Sequence, residues 1–238
     1  MEWMNYQLPN LSEGGHEEGS GELCAMEMVA FMERLPHSDR PECTCPVLAA
    51  YVRCLNDRMP DSRRNEIQPI LPLLVDTVSP SLEHTRAEYF AMQMVTKLVP
   101  IVLDGRIGPE LVSAMRDAEA LDVACDAARA ANAAAYAYAA DAAYTAANAA
   151  ANAAAYAYAA ADAAYAADAD AYAAANAAAN AAAYAYAYAA ADAARAAADH
   201  DFWAHAIEIL KGAIELDPKI KPAQWEPVRV EELVKEFT

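Results

Sequence analysis

The chain has 238 residues, a formal net charge of −18 and a sequence pI near 4.5. Nucleic-acid phosphates are bound by clustered Lys and Arg, and here 17 basic residues stand against 35 acidic ones, so direct nucleic-acid binding is not expected. The N-terminus lacks the basic start and apolar stretch of a signal peptide, and the number of Cys, five, is odd. Both features favour reduced thiols and a cytoplasmic location over a disulfide framework.

The first part of the chain predicts an irregular acidic lead-in over residues 1–21, followed by a helical bundle domain over residues 22–108. The lead-in, with SEGGHEEGSGE, has little to bury. A helix then places apolar residues on one face and ends at Pro36; these residues are Leu23, Met26, Ala30 and Phe31. After a turn over residues 37–46, a second helix begins at Pro46 and ends at Pro60, with Val47, Ala50, Tyr51 and Leu55 inward. Two more helices complete the bundle, one over EIQPILPLLVDTV (residues 66–78), interrupted by Pro69 and Pro72, and one over residues 81–102.

Residues 109–200 form an Ala/Tyr/Asn-rich region in which helix is predicted, because Ala dominates and neither Gly nor Pro occurs from Glu110 to Lys211. The phrase NAAANAAAYAYA occurs at residues 148–159 and again at 176–187. Each Tyr-x-Tyr pair puts its rings on nearly opposite helix faces, which favours short helices stacked in a repeat array. The alternative is one long coiled coil with an Ala seam. Asn and Asp interrupt the region too often for a membrane span.

Residues 201–238 return to ordinary composition and predict an amphipathic capping helix and a C-terminal tail. The capping helix carries Phe202, Ala206, Ile209 or Leu210 and Ala213 on one face, with Trp203 able to cover the end of the array. Three prolines, Pro218, Pro222 and Pro227, predict a tail with an extended backbone, and VEELVKEF (residues 230–237) predicts a short last helix. The predicted fold class is therefore all-α, a small bundle followed by a helical repeat array and its cap.

The residue types that carry chemistry in the first domain are thiols and one imidazole. Zinc takes four Cys or His ligands, and two helices joined by a Pro-rich turn could bring together Cys24, His37, Cys43 and Cys45. A Cys nucleophile would use His37 as its base. The spacing Cys-x-Cys differs from the usual Cys-x2-Cys, so buried structural thiols are the alternative interpretation.

The Ala-rich region offers neutral hydrogen bonds and flat rings. If these side chains line a cleft, they suit a small polar ligand; the candidates are Tyr136, Tyr138, Asn152, Tyr156, Tyr158, Asn180, Tyr184 and Tyr186. If these side chains face one another instead, they satisfy each other's hydrogen bonds within the helical core and bind no ligand. The composition also resembles that of helical ice-binding proteins, a minor alternative, because the region has only Thr145 where such proteins present a row of Thr.

Two segments resemble known families. LCAMEMVAFMERLPHSDRPECTCPVLAAYVRCLND (residues 23–57) resembles a segment of an uncharacterised family of actinobacterial and actinobacteriophage proteins. The matching residues are Cys24, Glu27, Ser38, Asp39, Pro41, Cys43, Pro46, Asn56 and Asp57, whereas Arg40 and Cys45 depart from the pattern. The Ala-rich region resembles putative immunity proteins, which implies partner binding and not catalysis.

Together these features predict a non-enzymatic phage or actinobacterial accessory protein that binds or sequesters a protein or small-molecule partner, with a possible homodimer. One alternative is a metal- or Cys-dependent enzyme centred on Cys24, His37 and Cys43. Another follows from the acidity of the chain, which would suit a mimic of nucleic acid aimed at a basic protein.

Overall fold

The computed structural model describes residues 8–103, 108–119, 123, 126–127, 130 and 200–237. Within these residues the chain forms helices and no strand, which confirms the all-α prediction. The chain divides into two compact units, Met1–Pro80 with Leu210–Thr238, and Ser81–Ile209. The first unit thus includes the C-terminal segment, whereas the sequence predicts a separate terminal region over residues 201–238.

The first helix of the first unit, α1 (Ala25–Met32), is almost entirely buried, with Phe31 half-buried. It ends four residues before Pro36, the residue predicted to stop it. The cause is a Schellman motif: Arg34 has a left-handed φ of 58°, and the Leu35 N–H donates to the Ala30 carbonyl at 2.9 Å. The backbone conformation at Arg34 therefore ends the helix.

The second helix, α2 (Pro46–Arg58), begins at Pro46 as predicted, and the four side chains expected to face inward are buried. A short α3 (Asp61–Arg64) leads into a 3₁₀ helix, Asn65–Leu73. Pro69 and Pro72 lack the N–H that a regular α-helix needs at those positions, so the predicted interruption takes this tighter form. Helix α1 packs against both α2 and the 3₁₀ helix.

In the second unit, α4 (Pro80–Gln93) is followed directly by a π-helical turn, Met94–Leu98, and by α5 (Val99–Leu103). Helix α6 (Pro109–Arg116) packs against α5 and the π-helical turn. Its Val112 and Met115 are buried. The predicted helix at residues 81–102 thus exists, with a local change of winding in its second half.

Two helices end the chain. Helix α7 (His200–Glu215) buries the predicted apolar face, namely Phe202, Ala206, Ile209, Leu210 and Ala213. Helix α8 (Pro227–Phe237) contains the predicted short last helix, VEELVKEF, but begins earlier, at Pro227, which was predicted to lie in the extended tail. None of the described helices combines the length and apolar composition that crossing a membrane requires.

Both interpretations of the Ala-rich region, the stacked array and the long coiled coil, fall on residues that lie outside the described part of the chain. They remain predictions.

Candidate functional site

The N-terminal end of α1 is built around one carboxylate. Cys24 is the N-cap residue, and Glu27 accepts the Cys24 backbone N–H at its Oε2 atom, at 2.7 Å. This is a capping box in which Cys replaces the usual Ser or Thr. The Cys-x-x-Glu spacing therefore starts the helix at this point.

The same carboxylate binds an imidazole and a backbone amide from the lead-in. Glu27 Oε1 accepts the His16 backbone N–H at 2.7 Å, and Oε2 accepts the His16 ring Nδ1–H at 2.9 Å. His37 Nε2 donates to the His16 carbonyl at 2.8 Å and lies 3.6 Å from Glu27 Oε1. The Glu27 side chain is only 2% exposed. We call His16, Cys24, Glu27 and His37 the Glu27 cluster.

Two opposing effects set the protonation state of Glu27. Burial alone would raise the pKa of the carboxyl group, but the hydrogen bonds from His16 and Cys24 and the His16 ring outweigh it and hold the pKa below its ordinary value. The side chain is therefore ionised at neutral pH. It acts as a hydrogen-bond acceptor for the donors around it, not as an acid.

Two thiols of the first unit, those of Cys24 and Cys43, are held in their protonated form. Burial and the neighbouring charge of Glu27 raise the pKa of Cys24. Burial also raises the pKa of Cys43, to which the charge of Glu33 adds. Because the thiolate is the nucleophilic form of cysteine, both environments oppose nucleophilic chemistry at neutral pH.

Residues 8–22, which are the described part of the predicted lead-in together with Glu22, are fixed by side chains of the first unit, and we call them the anchored loop. Asn65 Oδ1 accepts the Leu11 N–H at 2.9 Å, and Asp57 Oδ1 accepts the Gly14 N–H at 2.9 Å. Leu11 is 4% exposed and packs into the core. The segment is irregular, as predicted. The expectation that it has little to bury is wrong at Leu11, whose side chain is buried and whose backbone N–H is hydrogen-bonded to Asn65.

Asn56 connects the anchored loop to α1. Its Oδ1 atom accepts the Ala25 N–H at 3.1 Å, and its Nδ2 atom donates to the Ser12 carbonyl at 2.8 Å. The residue is completely buried. One side chain near the end of α2 therefore satisfies an amide in the first turn of α1 and orients the loop.

The outer side of the anchored loop is acidic. The side chains of Glu13, Glu17, Glu18 and Glu22 are exposed there. Gly14, Gly19 and Gly21 have φ values of 80–86°, a left-handed region that favours glycine. The backbone is anchored at Leu11, Gly14 and His16, and the turn that follows exposes the carboxylates of Glu17, Glu18 and Glu22.

The predicted zinc ligands have separate local roles. Cys24 and Cys45 are buried N-cap residues of α1 and α2, Cys43 is half-buried, and His37 donates to a backbone carbonyl. Across the described ranges, no group of three or more His, Cys, Asp or Glu residues is placed to hold a metal ion. Zinc binding stays a prediction, now without a preformed site in this part of the chain.

The candidate ligand-binding tyrosines and asparagines, from Tyr136 to Tyr186, lie outside the described residues. Conversely, sequence reasoning did not single out His16 or the cluster role of Glu27. The Cys-x-x-Glu capping-box spacing before an apolar run is the signal that identifies Glu27. The contact of His16 with Glu27 spans a loop without periodicity, so the sequence pattern carries no signal for it.

Comparison of the chain with family models, with curated proteins and with solved structures finds no match. Function is therefore inferred from the geometry of the described residues.

Proposed function

We propose that the protein acts by binding, without catalysis, a protein partner that has a basic surface, as an accessory protein of an actinobacterium or its phage. The observation that carries the proposal is the anchored loop, an irregular segment whose amides at Leu11, Gly14 and His16 are bound by buried or half-buried polar side chains. Loops held by a rigid scaffold are common positions for binding residues, and preorganisation lowers the entropy cost of association.

Charge supports a basic partner. The exposed side chains of the anchored loop include Glu17, Glu18 and Glu22, and the whole chain has a formal net charge of −18. Complementary charge accelerates association and selects against acidic partners. A DNA-binding protein is one member of this partner class, so the nucleic-acid-mimic prediction is a special case of the proposal.

The chemistry of the Glu27 cluster supports binding over catalysis. Glu27 is ionised and accepts hydrogen bonds from backbone and ring donors, and the environments of Cys24 and Cys43 raise the pKa values of their thiols. These groups stabilise the fold around the loop. The alternative of a Cys-dependent enzyme would need a thiolate that these environments disfavour.

The test is affinity capture from an actinobacterial lysate on the immobilised full-length protein, followed by affinity measurement on each purified partner. A variant that carries E17Q, E18Q and E22Q removes three charges from the loop. A matched control, E42Q with E215Q and E236Q, removes three exposed charges elsewhere. Both variants have the same net charge, so they separate loop recognition from general acidity.

We expect the loop variant to weaken binding at least tenfold, on the order of 1.4 kcal/mol, and the control variant to change it much less. We also expect affinity to fall as salt concentration rises, because exposed charges are screened. Equal affinities for the two variants, or capture of no partner at any salt concentration, would contradict the proposal.

A further inference from the structure

The C-terminal end of α1 is held by residues that lie about two hundred positions later in the sequence. The Arg229 guanidinium is 3.6 Å from the centroid of the Phe31 ring. Its Nε atom donates to the Phe31 carbonyl at 2.9 Å, its Nη2 atom donates to the same oxygen, and its Nη1 atom donates to Glu232 at 2.7 Å. Arg229 therefore binds both the ring and the carbonyl of one α1 residue.

A second set of contacts surrounds this one. Trp225 Nε1 donates to Glu33 Oε1 at 2.9 Å, and its side chain is 5% exposed. The Phe237 ring meets the Phe31 ring edge to face, with centroids 5.7 Å apart. Val230 and Leu233 of α8 are completely buried. We call residues 216–237 the C-terminal strap.

The residues that join α7 to the strap are held mainly by local bonds. The Asp217 N–H donates to the Ile214 carbonyl, and the Ile220 N–H donates to the Asp217 carbonyl, both at 3.2 Å. Pro218, Lys219 and Lys221 are exposed. The Ala223 N–H donates to the Pro72 carbonyl at 2.9 Å and marks where the strap meets the rest of the unit. Residues 216–222 thus have the features of a hinge.

We propose that the C-terminal strap opens as a unit while α1 and α2 stay folded. Its contacts are concentrated at the C-terminal end of α1 and at Pro72, and the Phe31 carbonyl can take water in place of Arg229. Helix α1 contacts α8 of the strap, but it also packs against α2 and the 3₁₀ helix, and those contacts do not involve the strap.

The closed state dominates because opening exposes apolar surface. Trp225, Val230 and Leu233 are all buried in the closed state, and their transfer to water is unfavourable. Helix α8 has 11 residues, a length that is marginal for an isolated helix, so the strap loses much of its helix when it leaves. The open form is a minor state with an uncovered apolar site at Phe31.

Native-state amide hydrogen exchange of the whole chain tests whether the C-terminal strap opens as a unit. We expect the amides of α8 to exchange through an opening with a weak dependence on denaturant, and those of α2 to exchange only through a larger unfolding. The variant R229M removes the guanidinium contacts, and we expect it to raise the opening equilibrium of α8 on the order of tenfold. The amides of α2 should keep their exchange rates.

The matched control is E226Q. The ion pair between Glu226 and Arg34 is 3.3 Å long with both side chains about two-thirds exposed, and exposed pairs contribute little. We expect exchange in this variant to stay within about twofold of the unsubstituted protein. The proposal is overturned if the amides of α8 and α2 show one common opening equilibrium in the unsubstituted protein, a comparison that needs no variant. It is equally overturned if R229M accelerates both helices to the same extent.

Discussion

The two ends of α1 are secured by distant parts of the chain, but in different ways. At the N-terminal end, Glu27 and Asn56 are buried, and they bind amides that have no access to water. At the C-terminal end, Arg229 and Glu33 are partly exposed, and they bind a carbonyl and an indole N–H near the surface. The first end is therefore fixed to the core, whereas the second end can exchange its partners for water.

This difference has an energetic basis. Removing one partner of a buried hydrogen bond leaves the other partner without water or protein to bind, at a cost of about 1–3 kcal/mol per group. Removing a partner near the surface allows a water molecule to replace it. The comparison thus implies large effects of substitution at the start of α1 and smaller effects at its end.

The largest expected effect is that of E27A. Loss of the carboxylate leaves the His16 and Cys24 backbone N–H groups and the His16 ring N–H without their acceptor, so we expect a loss of about 3–5 kcal/mol in the free energy of unfolding. Urea unfolding followed by circular dichroism measures it. The control is E22A, whose side chain is 64% exposed and should cost less than about 1 kcal/mol. Similar losses in both variants would remove the distinction between buried and exposed carboxylates.

The next largest effect is expected for N56A. The substitution removes the acceptor of the Ala25 N–H and the donor to the Ser12 carbonyl, both in buried or half-buried surroundings, and should cost about 2–3 kcal/mol. The same unfolding measurement applies. An unchanged midpoint of urea unfolding would show that the hydrogen bonds of Asn56 between the end of α2 and the start of α1 contribute nothing to stability.

The pH dependence of stability isolates the charge of Glu27. The pKa of this carboxyl group is lowered in the folded state, so it contributes stability that is fully present above its unfolded pKa, near 4.5, and is lost as pH falls through the folded pKa. We expect the free energy of unfolding to fall more steeply below pH 4.5 in the unsubstituted protein than in E27Q. If the free energy of unfolding fell equally steeply with pH in both proteins, the ionised Glu27 carboxylate would not be the source of this pH dependence.

The smallest expected effect is at the other end of α1. W225F keeps most of the apolar surface and removes the indole N–H that binds Glu33, so we expect a loss of about 1 kcal/mol in the free energy of unfolding. Thermal unfolding monitored by circular dichroism is sufficient to measure it. A loss as large as that of E27A would mean that the C-terminal strap is as firmly integrated as the start of α1.

The sequence predicted the parts of this arrangement that depend on local patterns. Pro46 marks the start of α2 because its missing N–H suits a first turn, and the spacing of Phe202, Ala206 and Ala213 identifies the buried face of α7. The end of α1 was misplaced because a Schellman motif at Arg34, not Pro36, stops the helix.

The candidate site was harder to predict, because its contacts join residues far apart in the sequence. His16 meets Glu27 across an irregular loop, Asn56 reaches the Ser12 carbonyl, and Arg229 meets Phe31 across 198 positions. Such pairings depend on how the helices pack and leave no periodic pattern. The Cys-x-x-Glu spacing is the exception, because a capping box is local.

The central claim is that the lead-in is a fixed loop held by buried and half-buried polar groups. Its most direct test is amide hydrogen exchange at Leu11, Gly14 and His16 in the whole chain at neutral pH. Each of these N–H groups donates to a side-chain acceptor in the first unit. We expect all three amides to be protected by orders of magnitude relative to an unstructured peptide, and E27Q to reduce the protection most at His16. Exchange of the three amides at the rate of a free peptide would contradict it.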